Sequence, residues 1–600
     1  MKGIAIGLSN NSKEILKRLK KTEFVKDIYI AGSSKEDGKE NELIQVQKPR
    51  EILLKKWPEI DLIIFIGSIA ASIRIINSFL TSKDQDPGVI VIDNKCSKIV
   101  PLIGLHQSNT QNIACQIANL LGGEIIETNN SNDQSFLNLD AFGNQWGWKR
   151  SGNIKDWSKL VIKQAKNEEI FCKQLSGNSL WKNSESGEII NQINEKETEK
   201  PDSTFHVSIF KNNKTTWHPP VLWIGIGCER NTSKELIANS LNNFLESGNL
   251  SQQSIAGFAT IDIKKDEKGI LELAEEKNLP IKFFNKEDLS TIIVPNPSNV
   301  VQKEIGTPSV AEASCLLAAG EESKLLEEKR IFKNQSGAVT IAVAESKNQY
   351  NPTHGEIHII GSGPGDISFL TSNAKKALSR CTVWIGYKMY LDLIKSLKRS
   401  DQVLIESKLT EEKERCSKAI KLAEEGIKVA LISSGESGFY GMAGLLLELL
   451  QKIKKEYRPY FEVHPGISSV QLAAAISGAP LMNDFCSVSL SDKLTPWSLI
   501  EKRIEGALVG DFVIALFNPQ SIERNWQLKS VIDICLQSRH GDTPVLIARQ
   551  VGRENQTKKF FTLNTIPFKE IDMLSIIIIG NSQTTLVDEI FLTPRGYLQN

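Results

Sequence analysis

Along most of this chain, short apolar runs alternate with stretches whose apolar positions recur every three or four residues. That is the pattern of buried strands followed by amphipathic helices, and it predicts an α/β architecture of several open, mostly parallel sheets. In residues 1–125 the runs Leu62–Ile66 and Val89–Asp93 read as strands, and Thr110–Leu121 reads as a helix. A second ordered block, 220–345, opens on the strand Val221–Gly227. It continues through Ala256–Ile263 and the helix Glu267–Lys277, with Thr232 or Ser233 as N-cap of the preceding helix, and closes on the strand Ala338–Ala344. Residues 346–355 are a polar linker. The block 355–600 repeats the unit, with strands at Val429–Ser433, Phe461–His464, Ser487–Leu490, Phe512–Phe517, Val545–Gln550 and Leu574–Gly580.

Between the first two blocks, residues 126–219 lose this rhythm. Asn, Ser, Lys and Glu dominate, and Trp146, Trp148, Trp157, Trp181 and Trp217 are scattered among them. The expectation is a small domain whose tryptophans anchor its core, plus a linker, with residues 185–204 as the disordered piece.

The turns carry more information than the strands. Ile357–Ile360 stops at Gly361-Ser362-Gly363-Pro364-Gly365-Asp366, where three glycines and a proline let the backbone turn sharply and approach a ligand. Ser433–Gly438, Pro465–Ser469, Asn518–Ser521 and Gly580–Ser582 end later strands in the same manner. Successive parallel strands would put all of these turns on one edge of the sheet, and a row of small-residue turns describes a cleft.

Of 600 residues, 24% are charged and 40% hydrophobic, and the net charge is +1, so neither a nucleic-acid footprint nor a polybasic membrane surface is expected. No apolar run is long enough to cross a bilayer, and the first residues read as a strand and turn without a signal-peptide core. The nine cysteines form no C-x-x-C pair, which indicates reduced thiols in a cytoplasm and neither zinc nor disulfides. A nicotinamide-dependent oxidoreductase would close its second strand with an acidic residue. Thr382–Ile385 ends instead in Gly386-Tyr387, and the Gly-Lys-Ser/Thr of a P-loop is missing.

The 355–585 region resembles the tetrapyrrole methyltransferases. The resemblance rests on Gly361–Asp366 with Leu370-Thr371, on Ser433–Ala443 and on Pro465–Ser469. Gly386-Tyr387 with Tyr390, Glu414-Arg415, Ser489–Trp497, and Phe517-Asn518-Pro519 with Ser521 and Arg524 are similar to the precorrin-3B C-17 branch of that family. The resemblance implies a two-lobed fold with the site in the trough between lobes, S-adenosyl-L-methionine as cofactor, a precorrin as substrate, and a homodimer. It implies cofactor contacts at Gly363, Pro364, Gly435, Glu436, Phe439, Ser468, Ser469, Phe517 and Gly552. The family's aspartate–proline is Glu436-Ser437 here.

Residues 221–345, through Gly225–Cys228, Ala259–Asp262, Pro297-Ser298 and Gly306–Ala313, resemble the carboxy-terminal domain of cobalt-precorrin-5A hydrolases. The first 125 residues resemble the amino-terminal domain of the same proteins, keeping that family's histidine as His106 without its flanking glycines. For 1–345 the non-enzyme alternative is a scaffold that holds tetrapyrrole.

Methyl transfer from a sulfonium is an in-line displacement, accelerated by alignment and exclusion of water. Asp492 is the candidate for steering protons during ring contraction, with Ser491 and Thr495 as hydrogen-bonding neighbours; Thr495-Pro496-Trp497 reads equally as a capped helix start. Lys388, Lys493, Arg524 and Arg549 are candidates to face substrate carboxylates, and His106 is the candidate base of a lactone hydrolase.

Overall fold

The computed structural model describes residues 2–32, 45–81, 86–104, 110–126, 136–193, 201–211, 214–335, 337–521 and 523–597. The chain divides into two compact units, residues 1–134 and 135–600.

The first unit is one sheet of strands β1 (Gly3–Gly7), β2 (Asp27–Ala31), β3 (Gln45–Gln47), β4 (Leu62–Ile66), β5 (Gly88–Ile92), β6 (Lys98–Ile103) and β7 (Glu124–Ile125), in the order β3-β2-β1-β4-β5-β6-β7. Its central strands read as unbroken apolar runs because both faces are covered, and every residue of β1, β4 and β5 is buried. The pairing is parallel except between β5 and β6, so the sheet is mixed where a parallel one was expected.

The second unit opens on the tryptophan-bearing segment. Its strands β8 (Lys149–Ser151), β9 (Phe171–Gln174), β10 (Asn191–Gln192), β11 (Thr204–Val207) and β12 (Thr216–His218) pair in the order β10-β9-β11-β12-β8. All five tryptophans are buried, and Phe142 sits among them with its ring 5.2 Å from Trp181 and 5.6 Å from Trp217. They anchor a core, as expected, but it is not a separate one. The same cluster continues through Ile357, Ile359, Val383, Leu422 and Val429 of the following domain. The expected disorder of 185–204 is corrected over its described part. Residues 185–188 are helical, capped by the Ser184 side chain, Ser186 Oγ bonds Ser400 Oγ at 2.8 Å, and Thr204 and Phe205 are buried in β11.

Next, β13 (Leu222–Cys228), β14 (Ile255–Ile261), β15 (Ile281–Phe284), β16 (Lys324–Asn334) and β17 (Gly337–Glu345) form a sheet in the order β15-β14-β13-β17-β16. Ser233, one of the two expected caps, closes the helix Lys234–Ser247 by accepting from Leu236 N–H.

The last part has two lobes. β18 (Glu356–Gly361), β19 (Val383–Tyr387), β20 (Val403–Ser407), β21 (Lys428–Ser433) and β22 (Tyr460–His464) form an all-parallel sheet ordered β20-β19-β21-β18-β22. After the short β23 (Gly478–Ala479), the second lobe uses β24 (Phe485–Ser489), β25 (Val513–Phe517), β26 (Pro544–Arg549), β27 (Thr557–Thr562) and β28 (Ser575–Ile579), ordered β24-β25-β28-β26-β27. β28 runs antiparallel to both of its neighbours. The turn Gly580–Ser582 therefore lies at the opposite edge from the others, where Asn581 donates to Asp511 O at 3.1 Å, ahead of β25. This corrects the expectation that all the turns share one edge.

The linker holds this unit together through Gln349, which is 2% exposed. Its carbonyl accepts from Trp148 Nε1 at 2.7 Å, and its amide donates to the carbonyls of Trp146 (2.6 Å) and Glu425 (2.9 Å). A Gln349→Leu variant would strand three buried polar groups, each costing about 1–3 kcal/mol. We expect a loss of at least about 2 kcal/mol, read as a lower denaturant midpoint of tryptophan fluorescence.

Candidate functional site

Five strand ends of the last part come together. The turn after β18 and the turn after β21 are joined main chain to main chain: Gly363 N–H donates to Gly435 O at 3.1 Å and Gly435 N–H to Gly363 O at 2.8 Å. Gly435 has φ of +63°, and a Cβ there would lie 3.7 Å from Ser468 Cα, so the turn after β22 borders the same space. A Cβ on Gly466 would lie 2.1 Å from Gly435 O, which only glycine avoids. The turn after β26 closes the other side, with Asp366 N–H donating to Gly552 O at 2.7 Å and Arg553 Nε donating to Pro364 O at 3.3 Å. The turn after β25 arrives through side chains. Phe517 meets Phe439 edge-on and Tyr440 at a tilt, each pair of centroids 5.2 Å apart, and Tyr440 Oη donates to Ser487 O at 2.9 Å.

Gly363, Pro364, Gly435, Glu436, Phe439, Ser468, Ser469, Phe517 and Gly552 thus all lie on these five turns. Two of the side chains are committed locally. Glu436 Oε2 accepts from Gly438 N–H at 2.6 Å, bracing its own turn, and Ser468 forms a capping box with Gln471 at the start of the helix Ser469–Ser477. Phe439 keeps 37% and Tyr440 53% of their surface open. Tyr440, Asn518 and Gln550 have φ of 57°, 51° and 51°, so three of the turns hold a non-glycine residue in the left-handed region.

Asp492 stands three residues beyond β24, on the second-lobe side. Register pairs Ser489 with Phe517, and Leu490 N–H donates to Phe517 O at 2.9 Å. Gln527 Nε2 donates to Asp492 Oδ2 at 2.9 Å, and Ser491 N–H donates to Ser489 Oγ at 3.3 Å. Thr495 does not cap the next helix. Pro496 holds the N-cap position of Trp497–Val509, with no side-chain bond, because it presets an extended backbone there. Among the four cations, Lys388 pairs with Glu406 (3.1 Å), Lys493 with Glu523 (3.8 Å) and Arg549 with Asp572 (2.7 Å). Arg524 donates to Asn518 O at 3.1 Å and stays beside Asp492's turn. His106 lies outside the described residues. Sequence reasoning missed Arg553 and Tyr440; the second sat inside the quoted Ser433–Ala443 stretch, while nothing local singles out the first.

Beneath the opening turn, His358, Glu462 and His464 bring potential metal-ligand atoms within 4.8 Å of one another. Both ring nitrogens of His358 are already used, however: Nδ1 bonds His464 Nε2 at 2.9 Å and Nε2 bonds Glu356 at 2.8 Å. Burial opposes ionisation of Glu356, but hydrogen bonds from His358 and Lys428, and the charges of Lys428 and Arg380, outweigh it and hold the carboxyl down to about 2.

Residues 356–567 match the family of tetrapyrrole (corrin/porphyrin) methylases. A probable cobalt-factor III C(17)-methyltransferase of Salmonella typhimurium is 44% identical over 241 residues, 40% of this chain and 99% of that protein. The chain belongs to the tetrapyrrole methylases. A precorrin-3B C(17)-methyltransferase of Sinorhizobium sp is 33% identical over 249 residues, 40% of this chain and 97% of that protein. A cobalt-factor III methyltransferase of Priestia megaterium is 44% identical over 245 residues, but this methylase-family chain spans only 45% of its length. Ahead of the methylase part, residues 51–132 match the N-terminal part, and 222–344 the C-terminus, of cobalamin synthesis G. The resemblances drawn from the turns are borne out at both ends.

The Glu356 cluster predicts an acid limb to stability. Its folded pKa lies below the ordinary 4.5, so the stabilisation is complete above that pH and is lost as pH falls towards about 2. Wild type should lose up to about 3 kcal/mol more than Glu356→Gln over that window, measured by denaturant melts at each pH.

Proposed function

We propose that residues 355–600 methylate C-17 of precorrin-3B, or of its cobalt-bearing counterpart, using S-adenosyl-L-methionine, with contraction of the macrocycle. The observation that carries this reading is the meeting of five strand ends, four packed through glycine-rich backbone and the fifth, after β25, through the Phe439, Tyr440 and Phe517 rings. Such a lining fits the cofactor. Main-chain N–H and C=O groups can bind its polar ends without bulky side chains, and Phe439 and Phe517 offer apolar faces. A Cβ on Gly444, just inside the helix Ala443–Gln451, would meet nothing within 4 Å, so there is room beside the Ser433–Ala443 turn.

When bound, the cofactor supplies an electrophilic methyl carbon. The chain's own part is to align and to exclude water, which is the main lever for such a displacement. Gly363, Pro364, Gly435, Ser468, Ser469 and Gly552 would frame the pocket. Glu436 would act through the turn it braces. Asp492, held by Gln527, would take and return the proton that ring contraction displaces, with Ser491 and Thr495 beside it. Arg524 and Arg553 are the cations best placed for the carboxylates of a precorrin. For residues 1–345 we read lactone opening in the same pathway, supported by the matches to both ends of cobalamin synthesis G. No helix among the described residues is long and apolar enough to cross a membrane, and the reading includes a cytoplasmic homodimer. The exposed Val587 and Ile590 (62% and 56%) on the hairpin β29 (Thr585–Val587) and β30 (Ile590–Leu592) are the surface we assign to pairing.

Incubation of the full chain with S-adenosylmethionine and precorrin-3B should yield a product heavier by one methylene. Asp492→Ala should lower turnover by about 10²–10⁴-fold while cofactor affinity holds. Gly466→Ala, whose new Cβ collides with Gly435 O, should weaken cofactor binding by at least about tenfold in calorimetry, a loss of about 1.4 kcal/mol. His106→Ala should leave methyl transfer intact. Wild-type protein that binds a nicotinamide nucleotide and ignores S-adenosylmethionine would refute the assignment.

A further inference from the structure

A cavity of about 660 Å³ opens between the tryptophan-bearing sheet and the domain built on β13. Ser151, Asn153, Asp156 and His218 line one wall, and Glu246 and Gln252 line the other. β8 ends at Ser151. Gly152 then turns with φ of +101°, at a place where a Cβ would lie 2.6 Å from Lys214 O. The helix Ile154–Ala165 starts at once, with the Asn153 side chain accepting from Lys155 N–H at 2.9 Å. The chain thus presents a serine on a sharp strand-to-helix turn.

β12 pairs antiparallel with β8, Thr216 opposite Ser151 and His218 opposite Lys149. Side chains alternate across a strand, so Ser151 and His218 share a face. Ser151 Oγ lies 2.7 Å from His218 Nε2, and His218 Nδ1 lies 2.8 Å from Ser208 O. A carbonyl oxygen only accepts, so Nδ1 carries the proton. Nε2 is then the lone pair that receives the serine O–H. Burial lowers the imidazole's pKa, with the Ser208 bond opposing in part, which favours the neutral ring whose Nε2 lone pair is open to a proton. His218 is 1% exposed, whereas Ser151 is only half-buried and borders the cavity. Serine, histidine and a third group orienting the histidine make up the arrangement that activates a hydroxyl for acyl transfer.

We propose that Ser151 and His218 are a nucleophile–base pair that cleaves a carboxylic ester or lactone bound in this cavity. His218 Nε2 takes the hydroxyl proton as Ser151 Oγ bonds the carbonyl carbon. The ester C–O bond breaks, and the same proton passes to the leaving oxygen. Water, deprotonated by Nε2, then attacks the acyl-serine, and the proton returns to Ser151 Oγ as the acid leaves. With a lactone, both fragments remain in one hydroxy acid. That choice of substrate rests on the lactone-opening reading of residues 1–345; the pair itself does not.

The test uses the full chain with a fluorophosphonate probe and with p-nitrophenyl acetate. Mass spectrometry should find the phosphonyl adduct on Ser151, and Ser151→Ala should cut ester cleavage by at least about 100-fold while S-adenosylmethionine binding and thermal midpoint are unchanged. His218→Gln should suppress labelling as well. An adduct elsewhere or none, or ester cleavage unchanged in Ser151→Ala, overturns the proposal. Opening of a lactone-bearing precorrin, read as the gain of one water in product mass, separates the two readings. If it persists in Ser151→Ala, the pair is wrong and the lactone chemistry stands. If wild type shows Ser151-dependent ester cleavage without lactone opening, the pair stands and the lactone substrate is wrong.

Discussion

Gly363 and Gly435 exchange a pair of main-chain hydrogen bonds, and the geometry of the methylase part depends on that exchange. Both glycines hold a positive φ, +73° and +63°, a backbone conformation that other residues rarely adopt. Gly466 then fits against Gly435 O, and Gly552 against the Pro364 turn. Backbone packed on backbone carries its own polar groups, so these turns present N–H and C=O groups without bulky side chains between them. Side chains enter at the second lobe, where the Phe439, Tyr440 and Phe517 rings bridge to β25.

Most of the crevice was legible because its parts are local. A glycine string after an apolar run announces a turn wherever it stands, and the strands read from apolar runs in the last part fall within a residue or two of their observed bounds, whereas β20 and β27 were not read. Direction was not legible. β28 has the same apolar texture as β25 and β26, and only pairing shows that it runs the other way, taking Gly580–Ser582 to the far edge. The same holds for β6, whose antiparallel pairing with β5 leaves no mark in composition.

Long-range partners were equally hidden. Arg553 is an ordinary arginine in sequence and meets Pro364, 189 residues away, only after folding. Ser151 and His218 lie 67 residues apart in a segment whose polar composition reads as a small domain plus linker. The tryptophans were read as anchors, which they are; that their core would run on into Ile357 and Val429 required the packing itself.

That shared core ties the fates of parts that chemistry would keep apart. An indole cluster contributed by 136–219 covers one face of the sheet that carries the glycine turns, so residues 355–600 expressed alone would bare an oily surface to water. Trimming this polypeptide to its methylase portion is therefore a way to make it aggregate. The middle stretch is an interior wall of the methylase part, and a lesion in it would be felt in residues 355–600.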